Sequence, residues 1–365
     1  MRSTPVVHLF AALTIAATAV AQDPPTPPAG GAAPAGGPAA PAARRPPRPY
    51  AQVITDKAIT DPGGITTHRV DDRWFFEVPD SLMRRDFLLV TRVAGVPANF
   101  SGFLSAGTSI NERVVRWERQ GERLFLRSIS FRAVADDSLP IATSVASNNV
   151  APILAAFPVA AFSRDSSSYV VDVTDFFSGD TPALTGLDAD QRRQYQVRRL
   201  DAGRSYVNTV RSFPLNVEVR HTQTFDAGAP PSDPSGGSMS LEMRQSLVLL
   251  PKYPMRPRHA DERVGFFSVS RVNYGLDVQK AGDETFIRRW RLEPKDPAAY
   301  ARGELVEPVK PIIYYLDPST PAKWRPYVRQ GIEDWQKAFE TAGFRNAILA
   351  RDAPSPRLAH VHLLT

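Results

Sequence analysis

Residues 113–127 read RVVRWERQGERLFLR, and this stretch decides how the middle of the chain folds. Two runs rich in branched and aromatic residues, 113–118 and 123–127, flank the polar segment around Gln120 and Gly121. Branched and aromatic side chains favour strands, and glycine accepts the backbone conformations that a tight turn requires. The stretch therefore predicts a β-hairpin.

Further runs of the same kind lie on both sides of this hairpin. They cover residues 73–78, 87–93, 169–173, 215–221, 241–250, 264–272 and 286–292. The segment 227–238, rich in Pro, Gly and Ser, predicts a loop, and 188–199 is typical of a short polar helix. Sequential strands with short connections favour an antiparallel sheet or a sandwich. Residues 50–293 are thus predicted to form a β-rich N-terminal region.

The pattern changes in the last part of the chain. Residues 312–316 form a continuous apolar run, as in a buried strand. Apolar residues then recur at steps of three and four over 324–342, with Pro326 in the first helical turn and Gly343 at a left-handed cap. A second strand is predicted to begin near residue 346. The order strand–helix–strand predicts the start of a separate α/β domain over 311–350, after a linker over 294–310.

The amino terminus predicts export. An apolar run over 6–20, with Ala19 and Ala21 in small-x-small spacing, predicts a cleaved signal peptide over 1–21. The run is too short and too rich in Ala and Thr to favour a membrane anchor instead. Residues 22–49 consist almost entirely of Pro, Ala and Gly, which is typical of a disordered linker. The expected location is extracytoplasmic, periplasmic or secreted, with no membrane-spanning segment after cleavage.

Composition excludes several classes of protein. The chain has 365 residues, of which 42% are hydrophobic and 22% charged, as in an ordinary globular protein. Its net charge of +6 is spread along the sequence, so no nucleic-acid partner is expected. Because it has no Cys, disulfides and thiol chemistry are excluded. We find no Gly-x-Ser-x-Gly, phosphate loop or dinucleotide fingerprint.

Several segments of the later part of the chain resemble one known family. They read RPR (256–258), DERVGFF (261–267), RRWRLEP (288–294), GELVEP (303–308), KPIIYYLD (310–317), WRPYV (324–328), GIEDW (331–335) and AFETAGF (338–344). In order and spacing they resemble the uncharacterised N-terminal domains and the beginning of the catalytic domain of secreted bacterial zinc-dependent metalloproteases of the metzincin-like type. The resemblance covers about 64–350 and is strongest over 256–350.

The resemblance implies both a fold and an activity. The fold would be of the α+β class, with a β-rich antiparallel N-terminal region followed by an incomplete zincin-like α/β stub. The activity would be hydrolysis of protein or peptide substrates with zinc. In the family, zinc is bound by a later helix carrying His-Glu-x-x-His and by a third His, and the Glu polarises the zinc-bound water.

No residue of that zinc site can be assigned in this chain. Two His four residues apart with a Glu between them do not occur among its His residues, which are His8, His68, His221, His259, His360 and His362. We therefore assign no catalytic, cofactor-binding or metal residue here, and expect no cofactor in this chain, although complete family members hold zinc. The segment 351–365 is an atypical tail that departs from the family pattern, which predicts a frameshift or premature stop near Pro354.

The sequence neighbours of three His residues suggest a role for them. His360 and His362 lie two apart, so on a strand they would face the same side and could share a metal, although an incidental pair is the simpler interpretation. His259 lies among charged residues that are typical of a salt-bridged surface loop, namely Arg256, Arg258, Asp261 and Arg263.

The predicted helix over 324–342 has two kinds of side chain. Its acidic residues are expected on a solvated polar face; they are Glu333, Asp334 and Glu340. Its large apolar residues are expected in the core by their spacing; they are Trp324, Trp335 and Phe339.

Two functions remain open. In the first, the chain is the N-terminal portion of an exported zinc metalloprotease, stops before the zinc site and is inactive as given. Its β-rich region would then chaperone, cover or orient the protease domain, or bind substrate. In the second, it is a stand-alone exported non-enzymatic module that binds a protein or glycan. The α/β unit discriminates between them, because a finished binding module has little use for a helix whose apolar face lacks partners.

Overall fold

The computed structural model of the protein describes residues 46–100 and 104–353. The predicted signal peptide and most of the predicted linker, residues 1–45, lie outside the described residues, as does the tail from residue 354 onward. Within the described residues, no helix is long and apolar enough to cross a membrane.

The described residues form seventeen strands. They are β1 (Ile59–Asp61), β2 (Thr66–Val70), β3 (Arg73–Pro79), β4 (Asp86–Gly95), β5 (Ser109–Gln120), β6 (Arg123–Ile129), β7 (Ala133–Val134), β8 (Ile153–Phe162), β9 (Ser168–Asp172), β10 (Val197–Leu200), β11 (Tyr206–Ser212), β12 (Asn216–Ala227), β13 (Ser238–Leu249), β14 (Ser268–Asn273), β15 (Gly282–Ile287), β16 (Ile312–Leu316) and β17 (Ile348–Asp352).

Seven α-helices, all short, accompany these strands in the described part of the chain. They are α1 (Tyr50–Val53), α2 (Ile141–Asn148), α3 (Thr174–Ser178), α4 (Ala189–Gln194), α5 (Pro297–Ala301), α6 (Arg325–Glu333) and α7 (Gln336–Thr341). Two 3₁₀ turns lie at Asp80–Leu82 and Ala202–Arg204.

Twelve strands form one large sheet in which every pairing is antiparallel. Their order is β1-β2-β3-β9-β8-β6-β5-β4-β13-β12-β10, and β11 pairs with the first half of β12. This confirms the predicted β-rich antiparallel region. It takes the form of one strongly curved sheet rather than two packed sheets.

The two ends of this sheet meet, so that it is nearly closed. Gly64, in the β1–β2 loop, donates its N–H to Phe213 O just after β11 (3.0 Å). Ser212 donates its hydroxyl to Ile65 O (2.6 Å) and its N–H to Asp61 Oδ2 (3.0 Å). A sheet that returns onto itself leaves few open edges, which removes sites for unwanted strand pairing.

Side chains and one helix fill the interior of the sheet. Apolar residues from most of its strands, among them Phe76, Trp117 and Leu124, are almost fully buried there. Helix α3 adds Phe177, whose ring lies 5.8 Å from that of Phe76. A cavity of about 10 Å³ beside Trp117 and Phe177 has room for no more than one water molecule, as expected of a packed core.

Two smaller sheets accompany the large one, and all their strands except β7 follow it along the chain. Strand β14 pairs antiparallel with β15 and, over two residues, parallel with β7. Strands β16 and β17 pair in parallel, and α6 and α7 connect them. The predicted strand–helix–strand order is therefore present.

Most strands predicted from local patterns are confirmed. The hairpin has the expected register, with Trp117 opposite Leu126 and a turn at Gly121, whose φ is 62°. Strands β3, β4, β9, β12 and β13 correspond to predicted runs, and the predicted loop over 227–238 joins the last two. Six strands were not predicted, because their sequences are short or lack a clear apolar alternation; they are β1, β2, β7, β8, β10 and β11.

Other elements differ from the prediction in extent. The strand predicted over 264–272 begins only at Ser268, and the helix predicted over 188–199 covers only Ala189–Gln194. The strand predicted over 286–292 instead ends at Ile287. The start of β14 and the end of β15 coincide, because Ser268 is paired with Ile287.

The single helix predicted over 324–342 is interrupted. The backbone stays in the right-handed helical region at Asp334 and Trp335, but Trp335 N–H bonds to Ile332 O, three residues back, and the α-helical ladder is broken there. Pro326 lies in the first turn as predicted. Gly343 ends the second helix with a φ of +89°, as predicted for a left-handed cap.

Candidate functional site

Four polar side chains form a network on the outer face of β1–β3, which α1 covers. His68 Nδ1 lies 2.9 Å from Thr60 Oγ1, and His68 Nε2 lies 3.0 Å from Glu77 Oε2. Tyr50 donates its hydroxyl to the same Glu77 oxygen at 2.8 Å. His68 is 2% exposed, so its ring is satisfied almost entirely by protein groups.

Hydrogen bonding and burial in this network shift two pKa values. The hydrogen bond from His68 is the main cause of a lowered pKa for Glu77, against the opposing effect of its burial. Burial first, and then the bond to Glu77, raise the pKa of Tyr50 to about 12. Glu77 is thus held as a carboxylate that two donors approach.

The order hydroxyl, imidazole, carboxylate is the one found where a base activates a hydroxyl nucleophile. Here the network has a structural role. Thr60 and His68 are direct cross-strand neighbours, and the hydrogen bonds connect three strands and α1. Our sequence analysis missed it. The signal was present in the two-residue turn at Asp71 and Asp72, which sets the β2–β3 register.

A second network lies inside the large sheet. Gln245 donates its side-chain amide to Leu184 O (3.0 Å), and its nitrogen also lies 3.0 Å from His221 Nε2. Thr91 donates its hydroxyl to Gln245 Oε1 at 2.7 Å. These side chains point inward from the neighbouring strands β12, β13 and β4.

This geometry defines the protonation of His221. Because the Gln245 amide nitrogen can only donate, His221 Nε2 must accept, and Nδ1 carries the proton of the neutral ring. Nδ1 finds no hydrogen-bond partner among the described groups. Burial lowers the pKa of His221 to about 3. The imidazole is therefore neutral at physiological pH and serves the packing of the core.

In the unit formed by β16, α6, α7 and β17, the polar side of the helices faces the strands, where the apolar side was expected. Glu333, predicted to be solvated, accepts a hydrogen bond from Ala350 N on β17 (3.2 Å). Arg329 donates to Ala350 O (2.5 Å), and Gln336 Oε1 accepts from Ala347 N (2.9 Å). The polar side of α6 and α7 thus covers the free edge of β17. Asp334 and Glu340 are exposed, as expected.

The apolar side of the same helices faces solvent. We name the surface formed by Trp324, Tyr327, Val328 and Trp335 the aromatic face. These side chains are 53%, 67%, 43% and 64% exposed, respectively. The prediction that Trp324 and Trp335 belong to the core is therefore wrong. Trp324 precedes α6 and Trp335 lies between the helices, on the side away from β16 and β17, where no described element packs over them.

Phe339 behaves as predicted. It packs, partly buried, against a small core of Ala299, Val306, Phe344 and Ala347. This core joins α5 and the segment before β16 to the end of α7.

The remaining candidate residues lie apart from both networks. His259 is exposed and its ring lies 4.9 Å from that of Phe286, while Arg263 pairs with Asp261 (2.6 Å). This is the one ion pair that the described residues form among the four charged residues of the predicted salt-bridged loop, so that prediction is confirmed only for this pair. His360 and His362 lie outside the described residues.

The described side chains do not fit a zinc ion. Over residues 46–100 and 104–353, no three His, Cys, Asp or Glu side chains converge in a way that could hold a metal. Both ring nitrogens of His68 are hydrogen-bonded, and in His221 the nitrogen without a partner, Nδ1, carries the ring proton.

Comparison with known proteins finds two family matches. The family described as "Domain of unknown function (DUF5117)" matches residues 107–295, just over half of the chain. A second, "Domain of unknown function (DUF5118)", matches residues 47–96. No curated protein and no solved structure matches the chain.

The two matched segments fold as one sheet. Residues 47–96 contain β1–β4, and residues 107–295 contain β5–β15. Strand β3 pairs with β9, and β4 lies between β5 and β13. Strands of the first segment are therefore inserted among strands of the second, so neither segment has a complete sheet without the other.

Proposed function

The chain belongs to the family of the domain of unknown function DUF5117, and for this member we propose a role as the accessory, β-rich part of an exported zinc-dependent peptide hydrolase. In this proposal the described residues hold no catalytic centre. They position or cover a catalytic portion that binds zinc and cleaves protein or peptide substrates.

One observation carries the proposal: the aromatic face is exposed on an α/β unit that already uses its polar side to cover a strand edge. Trp335 and Tyr327 are each more than 60% exposed. Large contiguous apolar surface in water favours association, and surfaces of this kind mark contacts with other protein. A catalytic portion that packs on the aromatic face would bury it.

The family resemblance of the sequence supports the same proposal. The segments that resemble the beginning of a zinc-dependent protease domain coincide with β16, α6, α7 and β17. A parallel strand–helix–strand unit is the expected opening of such an α/β domain. The large sheet, with its packed interior, would then act as a rigid support.

The position of a catalytic portion next to the aromatic face can be tested by co-expression. The full chain is co-expressed with a separately encoded protease domain of the resembled type, and the two are purified through a tag on this chain. We expect co-purification and zinc-dependent peptide hydrolysis. Trp335→Ser with Tyr327→Ser should reduce co-purification about tenfold, since two large apolar contacts are lost. Tyr206→Ser, a change of an exposed aromatic residue on the large sheet, is the control.

Two outcomes would contradict the proposal. Unchanged yield, solubility and activity of the protease domain in the presence of this chain would remove the accessory role. Sequencing of the gene beyond codon 365 gives an independent check. We expect His-Glu-x-x-His in one of the three frames, and its absence from all of them would count against the hydrolase assignment.

A stand-alone binding module is the second candidate function. The segment 251–270 favours it, because almost all of its residues are exposed and it includes Tyr253, Phe266 and Phe267. A purified chain that is monomeric, soluble and unfolds in one sharp transition would favour this module over an accessory subunit.

A further inference from the structure

Three arginines lie side by side on the outer face of the large sheet. Arg92 of β4 is directly opposite Arg244 of β13, and Arg244 is directly opposite Arg220 of β12. Each is next in sequence to a member of the inner network, so all three point outward. Neighbouring strands are only about 4.8 Å apart, and like charges directly opposite one another destabilise a sheet. The row therefore needs negative charge close to it.

The two ends of this row differ in their partners. Arg220 forms an ion pair with Glu242, which compensates its charge. Arg92, at the other end, forms no ion pair within the described residues, and its guanidinium donates only to Ser246 Oγ there, at 3.5 Å. Glu112 lies on the same face of β5, but it is exposed and does not form an ion pair with any described residue. Most donors of Arg92 are therefore available to a ligand.

Arg244, at the centre of the row, is buried without enough hydrogen bonds. Its side chain is only 18% exposed, and its shielded Nε makes no hydrogen bond to a described group. Glu218 Oε2 lies 3.5 Å from this Nε and accepts a hydrogen bond from Ser246 (2.8 Å). Burial is the main cause of a lowered pKa of Arg244; Glu218 raises that pKa, and the neighbouring arginines lower it further. A buried guanidinium with unsatisfied donors is costly unless an acceptor reaches it.

An oxyanion between Arg92 and Arg244 would supply both the charge and the acceptors. Each guanidinium presents a planar fork of N–H donors that matches the oxygens of a carboxylate or a phosphate. A single carboxylate is fully used by one fork. A phosphate group carries further acceptor oxygens on the same centre, so it can accept from two forks at once. Two adjacent forks therefore favour a tetrahedral oxyanion over a carboxylate.

We propose that Arg92 and Arg244 form a binding site for a phosphate group, supplied either by inorganic phosphate or by a phosphate monoester. Each arginine directs its fork to oxygens of the same group, and the bound charge relieves the repulsion along the row. Arg220 remains with Glu242 and borders the site. The inference does not depend on the proposed hydrolase role.

The test uses the full chain and two defined probes, inorganic phosphate and phenyl phosphate, at an ionic strength held constant with sodium chloride. Binding is followed by nuclear magnetic resonance of the arginine Nε–H groups. We expect saturable shifts of two of these resonances with both probes. Acetate should bind at least about tenfold more weakly, because one carboxylate cannot serve both forks. Tighter binding of phenyl phosphate would identify an ester as the source, and tighter binding of phosphate the free ion.

Variants of the chain locate the site. Arg92→Gln should weaken phosphate binding at least about tenfold, since it removes one fork. Arg92→Lys keeps the charge without the fork and should recover only part of the affinity. Arg198→Gln, at an exposed arginine of β10, is the control and should bind phosphate as the wild type does.

Thermal unfolding gives a second readout and shows whether the variants fold. In chloride, Arg92→Gln should be at least as stable as wild type, because it removes a like charge opposite Arg244. Phosphate stabilises folded proteins in general, so its specific effect is the difference between proteins. Wild type and Arg198→Gln should gain more from phosphate than Arg92→Gln does.

Three results would overturn the proposal. The first is the absence of a saturable shift of any arginine Nε–H resonance with either phosphate probe. The second is equal phosphate binding by Arg92→Gln and wild type, with equal stabilisation of both. The third is an equal affinity for acetate and phosphate, which would reduce the site to a patch of positive charge without the two-fork geometry.

Discussion

His221 shows how one buried residue couples the fold to pH. Its ring is neutral, accepts a hydrogen bond from Gln245 and leaves Nδ1 without a partner among the described groups. Burial lowers its pKa from 6.5 to about 3. At a pH between these two values the unfolded chain binds a proton at His221, whereas the folded chain does not.

This difference predicts a pH dependence of stability. The contribution of His221 is fully present above about pH 6.5 and is lost as pH falls towards about 3, at up to about 1.4 kcal/mol per pH unit. His221→Gln should flatten this part of the profile, because glutamine does not titrate. The free energy of unfolding of both proteins is measured by urea denaturation between pH 7 and pH 4.

The comparison of the two proteins isolates His221 from other acid effects. Glu77, whose pKa is lowered, also loses stabilising charge at low pH, but it does so in both proteins. Parallel profiles for wild type and His221→Gln would show that His221 is not buried as described.

Helix α4 shows that a short element can owe its position to its ends. Asp188 Oδ1 accepts from Gln191 N (2.7 Å), and Gln191 Oε1 accepts from Asp188 N (3.0 Å). This reciprocal capping satisfies two N-terminal donors of a helix that is only six residues long. Gln191 is buried, so the cap is shielded from water.

Loss of this cap should have a measurable cost. We expect Asp188→Ala to lower the free energy of unfolding by about 1 kcal/mol, since it leaves an amide donor unsatisfied. Asp190→Ala is the matched control in the same turn. Asp190 is exposed and pairs only with Arg193 on the surface, so its loss should cost less than about 0.5 kcal/mol. Thermal or urea unfolding of both variants checks this, and equal effects would rule out the capping role.

At the scale of the whole molecule, closure of the sheet joins the two matched family segments. Gly64, in the first segment, lies against residues that follow β11 in the second. A Cβ at Gly64 would lie only 2.5 Å from Pro214 O. The backbones can therefore meet only because position 64 has no side chain.

Substitution of this glycine should open the closure. Gly64→Ala is expected to lower the free energy of unfolding by about 1–3 kcal/mol, because the backbone must shift to relieve the clash. Gly331→Ala is the control, since position 331 lies in α6 with open space around it and should gain about 0.5–1 kcal/mol. Urea denaturation of both variants is the measurement. A Gly64→Ala protein as stable as wild type would show that the ends of the sheet do not meet closely.

The sequence alone determined the elements that depend on residues close to one another in the chain. The hairpin around Gly121 follows from alternation and a turn residue that accepts a positive φ. The helical segment before Gly343 follows from the three-and-four spacing, from Pro326 in its first turn and from the glycine that caps it. Each of these features depends on residues within a few positions of one another, so no distant partner was needed to predict them.

Only the tertiary structure decided which strands are neighbours. Strand β8 carries Pro158, which argues against a central strand, yet it lies between β6 and β9. Pro158 is tolerated because it is paired with Arg123, the first residue of β6. Likewise, His68 meets Glu77 only through the register of β2 and β3. Periodicity shows which residues share a face, but it does not identify the strand that lies beside it.

The orientation of α6 and α7 was decided in the same way. Their spacing correctly predicted one apolar and one polar side, and burial of the apolar side was the natural expectation. In the structure the polar side instead satisfies the backbone edge of β17 through Arg329 and Glu333. Unpaired backbone groups at a strand edge need hydrogen-bond partners, and this need, which no local pattern expresses, leaves the aromatic face exposed.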